Sequence, residues 1–360
     1  METLKKEKNG FLGGKSMKNN PRKKLPHGVR TLLLVLAVVA GMALAVFIGG
    51  KVILGRMGKP LAPGETVPPH MQQIETEDPD DTLPGSVTSP TVNREDITWD
   101  DVEQLQNKDV INILLIGQDA RPGEDRARSD SMILVSINKQ RSTIHMTSFM
   151  RDLYVQIPGY MDDRINVAYR YGGAELLDKT IQENFGVTVD GNVAVNFEQF
   201  CTVVDILGGV DVEMDSEEAW YMNEKMDLGP VEEGMNHLNG EQALGFARIR
   251  YITGSDFART DRQRRILASI AQELKSVNAG QVLDLLSQVL PNVSTDLSQG
   301  ELVSYLAAAA TVYLGGGELI SGRVPEDDAY YPANIDGADV LVPYLNKCQE
   351  YLRDSIYSGD

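Results

Sequence analysis

Residues 110–137 read VINILLIGQDARPGEDRARSDSMILVSI. The opening run Val110–Ile116 is short, apolar and bounded by turn signals, the pattern of a buried strand. Met132–Ile137 and Ser142–Phe149 predict a hairpin across Asn138-Lys139-Gln140-Arg141. Asp119 then falls just past one strand end and Asp130 just before the next strand, so a hairpin-like return brings both carboxylates to one rim. In open α/β sheets ligands bind beyond the carboxyl ends of strands. Working outward, the pattern predicts a helix over Ala174–Asn184 closed by Gly186, a strand Val193–Asn196 and a helix Glu198–Leu207. A Gly208-Gly209 turn leads to a strand Val210–Met214, and Glu241–Ala247 is helical. Amphipathic helices follow over Asp261–Ser276, Ala279–Leu290, Gln299–Leu314 and Asp336–Ser355. Strands interleaved with helices predict an α-β-α sandwich, a central mixed sheet flanked by helices.

The chain has 360 residues, 42% apolar and 24% charged, which excludes wholesale disorder, a collagen-like chain and a coiled coil. Cys201 and Cys348 are too few for a disulfide scaffold, and whether they pair is open at this level. Four His without paired spacing argue against a His-built metal site. A net charge of −18 argues against nucleic-acid binding. That charge is unevenly spread. Residues 1–56 hold 11 Lys and Arg against Glu2 and Glu7, a balance of +9, which leaves −27 on the rest of the −18 chain.

Between the basic head and the acidic body lies Thr31–Gly50, TLLLVLAVVAGMALAVFIGG, twenty residues without a charge. At about 1.5 Å per residue it just spans a hydrocarbon core of about 30 Å. The expected organisation is a basic cytoplasmic tail (1–30), one transmembrane helix (31–54) and a Pro-rich acidic stalk (55–100). A catalytic domain (101–276) and a C-terminal helical part (277–360) packed on that same domain follow. The positive-inside rule places everything after the anchor outside the cell. A cleaved leader ending near Ala43-Leu44-Ala45 competes with this reading, but the apolar run continues to Ile48 and resumes at Val52–Leu54.

Asp119 and Asp130, with no His or Cys beside them, suit a hard cation such as Mg2+ (or Mn2+) that shares phosphate oxygens with a substrate. Six Arg fall within residues 248–265 of the acidic body. Arg248 and Arg250, two apart in an extended segment, point the same way, and Arg259 and Gln263, four apart, share a helix face. Arg is the bidentate, permanently charged partner for phosphate. Arg262, Arg264 and Arg265 read equally well as partners of surface carboxylates. Arg151 and Asp152 follow a further predicted strand, with Asp152 either a general base or a structural partner of an Arg. Tyr169, Tyr171, Phe197 and Phe200 read as core. No G-x-x-x-x-G-K-[ST], G-x-S-x-G or H-E-x-x-H occurs, so a nucleophile-elbow hydrolase fits poorly.

Six blocks in order resemble the LytR–CpsA–Psr family of bacterial cell-envelope proteins: INILLIGQDARPGEDRARSDSMILVSIN, SFMRDLYVQIPGY, DRINVAYRYGGAELLDKTIQENFGV, VNFEQFCTVVDILGGVDVEM, LNGEQALGFARIRY and DFARTDRQRRIL. They run from about Val110 to Ser276. The resemblance implies a Mg2+-dependent phosphotransferase outside the membrane. It would move a glycopolymer, such as teichoic acid or capsule, from an undecaprenyl-pyrophosphate carrier to peptidoglycan through a phosphodiester bond. It further implies that Asp119 and Asp130 hold the metal, and that Arg128, Arg151, Arg248, Arg250, Arg259 and Gln263 surround the pyrophosphate. Arg128 and Arg151 would also act in catalysis, with Asp152 as candidate base. The lipid tail would lie in an apolar tunnel beside the sheet. Gln118, Met150 and Ala258 depart from the family's usual residues without removing a charged group. A carrier-lipid hydrolase and a non-catalytic lipid-binding regulator remain the alternatives.

Overall fold

The structure, a computed structural model, describes residues 89–119, 128–249, 255–276 and 288–358. The basic tail, the membrane segment, the stalk up to residue 88, Arg250 and nearly all of the helix expected over Ala279–Leu290 lie outside the described residues.

Three strands, β1 (Val110–Asp119), β2 (Arg128–Asn138) and β3 (Thr143–Phe149), pair antiparallel in succession. The short strands β4 (Tyr154–Val155) and β5 (Asp163–Arg164) pair with each other and lead into helix α1 (Ile165–Phe185). Strand β6 (Gly191–Asn196) returns parallel to β1. Next come α2 (Phe197–Leu207), β7 (Val210–Met214), α3 (Ser216–Glu224), β8 (Gly234–Leu238), α4 (Gly240–Arg248) and α5 (Ser255–Ser276). The chain closes with β9 (Ser294–Thr295), α6 (Gln299–Leu314), β10 (Glu318–Val324), β11 (Tyr330–Ile335), β12 (Ala338–Pro343) and α7 (Leu345–Leu352). The main sheet runs β10-β3-β2-β1-β6-β9 and is mixed, since β10 joins β3 in parallel and β9 joins β6 antiparallel.

Side chains alternate across the sheet, and both faces are covered. Leu114 and Ile116 pack with Leu177, Ile181 and Phe185 of α1 and with Leu352 and Ile356 near the C-terminus. On the other face Ile111, Ile113 and Val135 meet α6 through Val312 and Tyr305. The β7–β8 hairpin has its own core, in which Val210, Val212 and Leu238 contact Val204, Met222, Phe246 and Ile266 of the surrounding helices. This is the expected α-β-α sandwich.

Local chemistry explains most boundaries. Asn196, Asp215, Asn239 and Ser298 each accept a hydrogen bond from the backbone N–H three residues on, and the Gln or Glu there reaches back, which closes a capping box at α2, α3, α4 and α6. Gly186 ends α1 in the left-handed region at φ 71. The helix expected from Ala174 gains an earlier segment from Ile165, set off by non-helical backbone at Gly172 and Gly173.

Two expectations at the edges need correction. The C-terminal part is not purely helical, because β9 and β10 form both edges of the main sheet and Asp336–Ser355 begins as the β11–β12 hairpin. The folded body also starts before residue 101. Val92 N–H donates to the Asn334 carbonyl at 3.0 Å, and Trp99 stacks on Tyr154 with ring centroids 6.1 Å apart. Cys201 and Cys348 are free thiols.

Asn192, fully buried at the start of β6, donates through Nδ2 to Asp178 of α1 and to Asp296 beyond β9, each at 2.8 Å. Burial pushes the Asp178 carboxyl up to about 7, against the Asn192 hydrogen bond, and Asp296 and Glu175 push it further. A folded-state value above the unfolded one of about 3.9 means that stability falls as pH rises between them and is level above about 7. Asp178→Asn should therefore gain in melting temperature over the parent as pH rises from 4 to 8. A gain independent of pH in thermal unfolding would show that Asp178 stays ionised in the folded chain.

Candidate active site

The site begins where β1 and β2 lose regular pairing. Gly117 pairs with Ser131 but Gln118 pairs with Ser129, so Asp130 is the extra residue of a bulge. Bulges re-aim a side chain, and here Asp130 Oδ1 lies 3.8 Å from Arg151 Nη1. A Cβ at Gly117 would approach the Ser131 Cβ to 3.0 Å, so glycine permits the tight pairing just ahead of the bulge. Asp119 is the last residue of β1 rather than the first beyond it, and its Cα pairs with that of Arg128. Asp130 likewise lies inside β2. The Asp119 side chain lies outside the described residues.

Arg151 and Asp152 occupy the turn after β3, where Met150 N–H donates to the Val324 carbonyl of β10 at 2.9 Å. Arg151 is 5% exposed. Asp152 Oδ1 lies 3.5 Å from Arg151 Nε and 3.6 Å from Arg164 Nη1. The β4–β5 pairing brings Arg164 there, opposite Tyr154. Asp130, Arg151, Asp152 and Arg164 thus form a chain of alternating charge. Sequence reasoning missed Arg164. No sequence signal pointed to it, because the β4–β5 pairing that brings it to Asp152 joins two strands of two residues each.

Helix α5 supplies Arg259, buried at 2% exposure, and Gln263, whose Oε1 accepts a hydrogen bond from Ser131 Oγ at 2.9 Å. Helix α4 runs one residue further than expected and ends with Arg248, whose guanidinium sits 4.7 Å from the Phe197 ring centroid. Arg250 lies outside the described residues. Arg262 and Arg265 both donate to Glu218, and Arg264 Nη1 donates to Ser148 Oγ at 2.8 Å, so these three are carboxylate and hydroxyl partners.

Asp130, Ser131, Asn196, Arg248, Arg259 and Gln263 are the polar and charged residues in the lining of a cavity of about 260 Å³. The remainder is apolar: Leu115, Ile133, Val193, Val204, Leu244 and Leu267 among others. Phe197 and Phe200, expected in the core, face this cavity, whereas Tyr169 and Tyr171 are buried in the main core. The arrangement sets cations and oxygen donors into the wall of an otherwise apolar cavity. It can hold an amphiphile whose head is anionic.

The described residues hold no group of three or more His, Cys, Asp or Glu able to bind a metal unaided. Asp130 brings one carboxylate beside Arg151, and the Asp119 backbone lies at the Arg128 pairing of the same two strands. A carboxyl oxygen is the donor type that a hard cation takes together with substrate oxygens.

A family model described as the LytR_cpsA_psr family matches residues 75–316. This chain belongs to the LytR_cpsA_psr family. Among relatives, "Polyisoprenyl-teichoic acid--peptidoglycan teichoic acid transferase TagU" of Oceanobacillus iheyensis is 37% identical over 243 residues, 62% of this chain and 72% of that protein. The TagT protein of the same description from Bacillus subtilis is 39% identical over 178 residues, 48% of this chain and 55% of its own. The Bacillus anthracis TagU matches over 65% of its length, so the chain spans under two thirds of several such relatives. The solved structure "TagT bound to LI-WTA" aligns with TM-score 0.56 at 29% identity, covering 69% of this chain and 91% of that one. B. subtilis TagV aligns with TM-score 0.57 at 26% identity over 71% of this chain and 100% of that one.

The family departures are accommodated by packing. Gln118 Nε2 donates to the Tyr169 hydroxyl at 2.7 Å, and Thr260 Oγ1 approaches the Met150 sulfur at 3.7 Å. Asp152 lies between two guanidinium groups, the geometry of an orienting partner for both. Asp152→Asn should lower unfolding free energy by about 1–3 kcal/mol in urea denaturation, because charged hydrogen-bonding groups lose a buried counter-charge. An unchanged midpoint would mean that the arginines do not depend on it.

Proposed function

We propose that this chain transfers a glycopolymer from an undecaprenyl-pyrophosphate carrier to peptidoglycan, forming a phosphodiester bond outside the membrane. The observation that carries this reading is the junction of the apolar cavity with Asp130, Arg248, Arg259 and Gln263. An isoprenoid needs a dry apolar slot and a diphosphate needs fixed cations; only a molecule with both parts satisfies the two together. The names of the TagU and TagT relatives make teichoic acid the first polymer to test.

In the proposed step a peptidoglycan hydroxyl oxygen attacks the phosphorus that carries the sugar. The bond from that phosphorus to the bridging oxygen breaks, the hydroxyl proton is lost, and the lipid leaves as its monophosphate. Negative charge grows on the bridging oxygen as the bond breaks. Arg151 is held before reaction against Asp130 and Asp152, and Arg259 is buried in the cavity lining. Pre-set cations of this kind stabilise a transition state without reorganising. Arg128, Arg248 and Gln263 serve the same diphosphate, and Arg250 is assigned there by its motif. Mg2+ or Mn2+, held by Asp119 and Asp130 when bound, supplies further positive charge to the phosphate oxygens. The uncharged segment Thr31–Gly50, with its basic N-terminal flank, supports an anchor that places the domain on the outer face.

The test is a transfer assay on the full chain in detergent with lipid-pyrophosphate-linked teichoic acid precursor, peptidoglycan oligomer and Mg2+. A covalent polymer–peptidoglycan product is expected. Release of polymer phosphate at equal rate without acceptor would instead identify a hydrolase, and absence of both would leave a binding protein. Arg151→Ala should reduce kcat by about 100-fold or more, the usual cost of removing one charge-stabilising donor. Chelation should abolish turnover, with recovery on adding Mg2+.

The cavity makes a separate prediction. Ile270→Trp fills the apolar lining about two helical turns beyond Gln263. It should raise KM for the undecaprenyl donor several-fold and leave a donor with a tail of one or two isoprene units little changed. An equal effect on both donors would place the lipid elsewhere.

A further inference from the structure

Glu218 lies on α3, outside the cavity, yet it is 3% exposed. Its Oε1 accepts a hydrogen bond from Arg262 Nε at 2.8 Å and another from Arg265, and its Oε2 accepts the Asp215 N–H at 3.1 Å. Arg262, 2% exposed, has a second contact: its Nη1 donates to the Ile249 carbonyl at 2.9 Å. Ile249 directly follows Arg248, with its own side chain fully buried in the β7–β8 core. The chain turns from helix to extended backbone at Ile249, whose φ is −58 and ψ 124. A carbonyl at a helix end has no partner within the helix and must be satisfied from outside. Here a buried guanidinium satisfies it.

We propose that Arg262, oriented by Glu218, is a positioning residue that fixes where Arg248 leaves α4 and so where it meets the diphosphate. The proposal rests on the functional reading above. Helix α5 carries both ends of the device. Arg259 and Gln263 line the cavity, while Arg262, three residues on from Arg259, holds the α4 exit. The distance between Arg248 and Arg259 is thereby set by one rigid element rather than by a loop. Arg265 provides an internal control. It shares the Glu218 carboxylate, but its other contacts are Asp261 at 3.3 Å, the Glu213 carbonyl at 2.6 Å and the Phe246 ring, not Ile249.

Lysine at 262 keeps the charge beside Glu218 but lacks the planar fork that reaches two acceptors in different directions. The test compares Arg262→Lys and Arg265→Lys in the full chain, with inorganic pyrophosphate affinity read by calorimetry and kcat and KM by the transfer assay. Displacement of a site group by about 1 Å can cost up to about 100-fold. Arg262→Lys should therefore weaken pyrophosphate binding and lower kcat/KM by about tenfold or more, whereas Arg265→Lys stays within about twofold on both. If the two variants lose function equally, in step with their loss of melting temperature, Glu218 and its arginines only stabilise the fold and the proposal fails. It fails too if Arg262→Lys binds pyrophosphate like the parent. A parent that binds pyrophosphate but transfers nothing overturns the functional reading and leaves the positioning result standing; a parent that binds none overturns both.

Discussion

Guanidinium groups withheld from water constrain this structure more than any other feature. Arg151, Arg164, Arg259, Arg262 and Arg264 are each 7% exposed or less. Removing a cation from water costs several kcal/mol unless counter-charges and acceptors replace its hydration. The fold meets that demand with Asp130 and Asp152 at Arg151, Asp152 at Arg164, Glu218 and the Ile249 carbonyl at Arg262, and Ser148 with Asp261 at Arg264. Each partner comes from a different element. The turn after β3, the β4–β5 pair, α3 and the end of α4 are therefore held in register by the cations. An acidic body suits this architecture, since carboxylates are available wherever an Arg is buried.

The sheet supplies the other half of the site through plain alternation. Even-numbered residues of β1, Leu114 and Ile116, face α1, while Leu115 and Gly117 face the cavity side. The strand is apolar on both faces, hence the uninterrupted run in its sequence. Because α2, α4 and α5 stand off the sheet on the second face, Leu115, Ile133 and Val193 line an open space rather than a closed core. Asp130, the bulge residue, joins that lining. One extra residue in β2 sets a charge into a repeating apolar surface.

The legible elements are those in which local pattern and tertiary role agree. The β1–β2–β3 meander announces itself in VINILLI, MILVSI and STIHMTSF, and α2 and α4 in capping residues followed by amphipathic runs. Strands β10 to β12 were hidden for identifiable reasons. Strand β10 is an edge strand interrupted by Gly322 and half exposed, and β11 contains Pro332. The stretch from Asp336 onward has the apolar content of a helix. Yet Asp336 and Gly337, at φ 52 and 91, form the Asp-Gly turn that favours a two-residue hairpin, a signal outweighed by the surrounding apolar residues. In the site, the charged motif residues could be found because Asp and Arg at strand ends stand out against apolar runs. Arg164, Ser131 and the cavity wall could not, since their significance lies in contacts between segments distant in the chain.

The C-terminal third belongs to the sheet rather than to a cover laid over it. The β1–β2–β3 meander leaves β3 with a free edge, and β6 leaves the other; β10 and β9 close them. The same segment reaches the site itself. The backbone of Met150, immediately before Arg151, is held by Val324 of β10, and the Asp152 carbonyl accepts the Leu341 N–H of β12 at 2.9 Å. Arg151 and Asp152 are thus clamped between β10, β12 and the core of the domain. The matched family region ends at residue 316, before β10, so the turn that presents Arg151 depends on strands beyond that match. The Arg151-Asp152 turn takes part of its geometry from strands that begin more than 150 residues later in the chain.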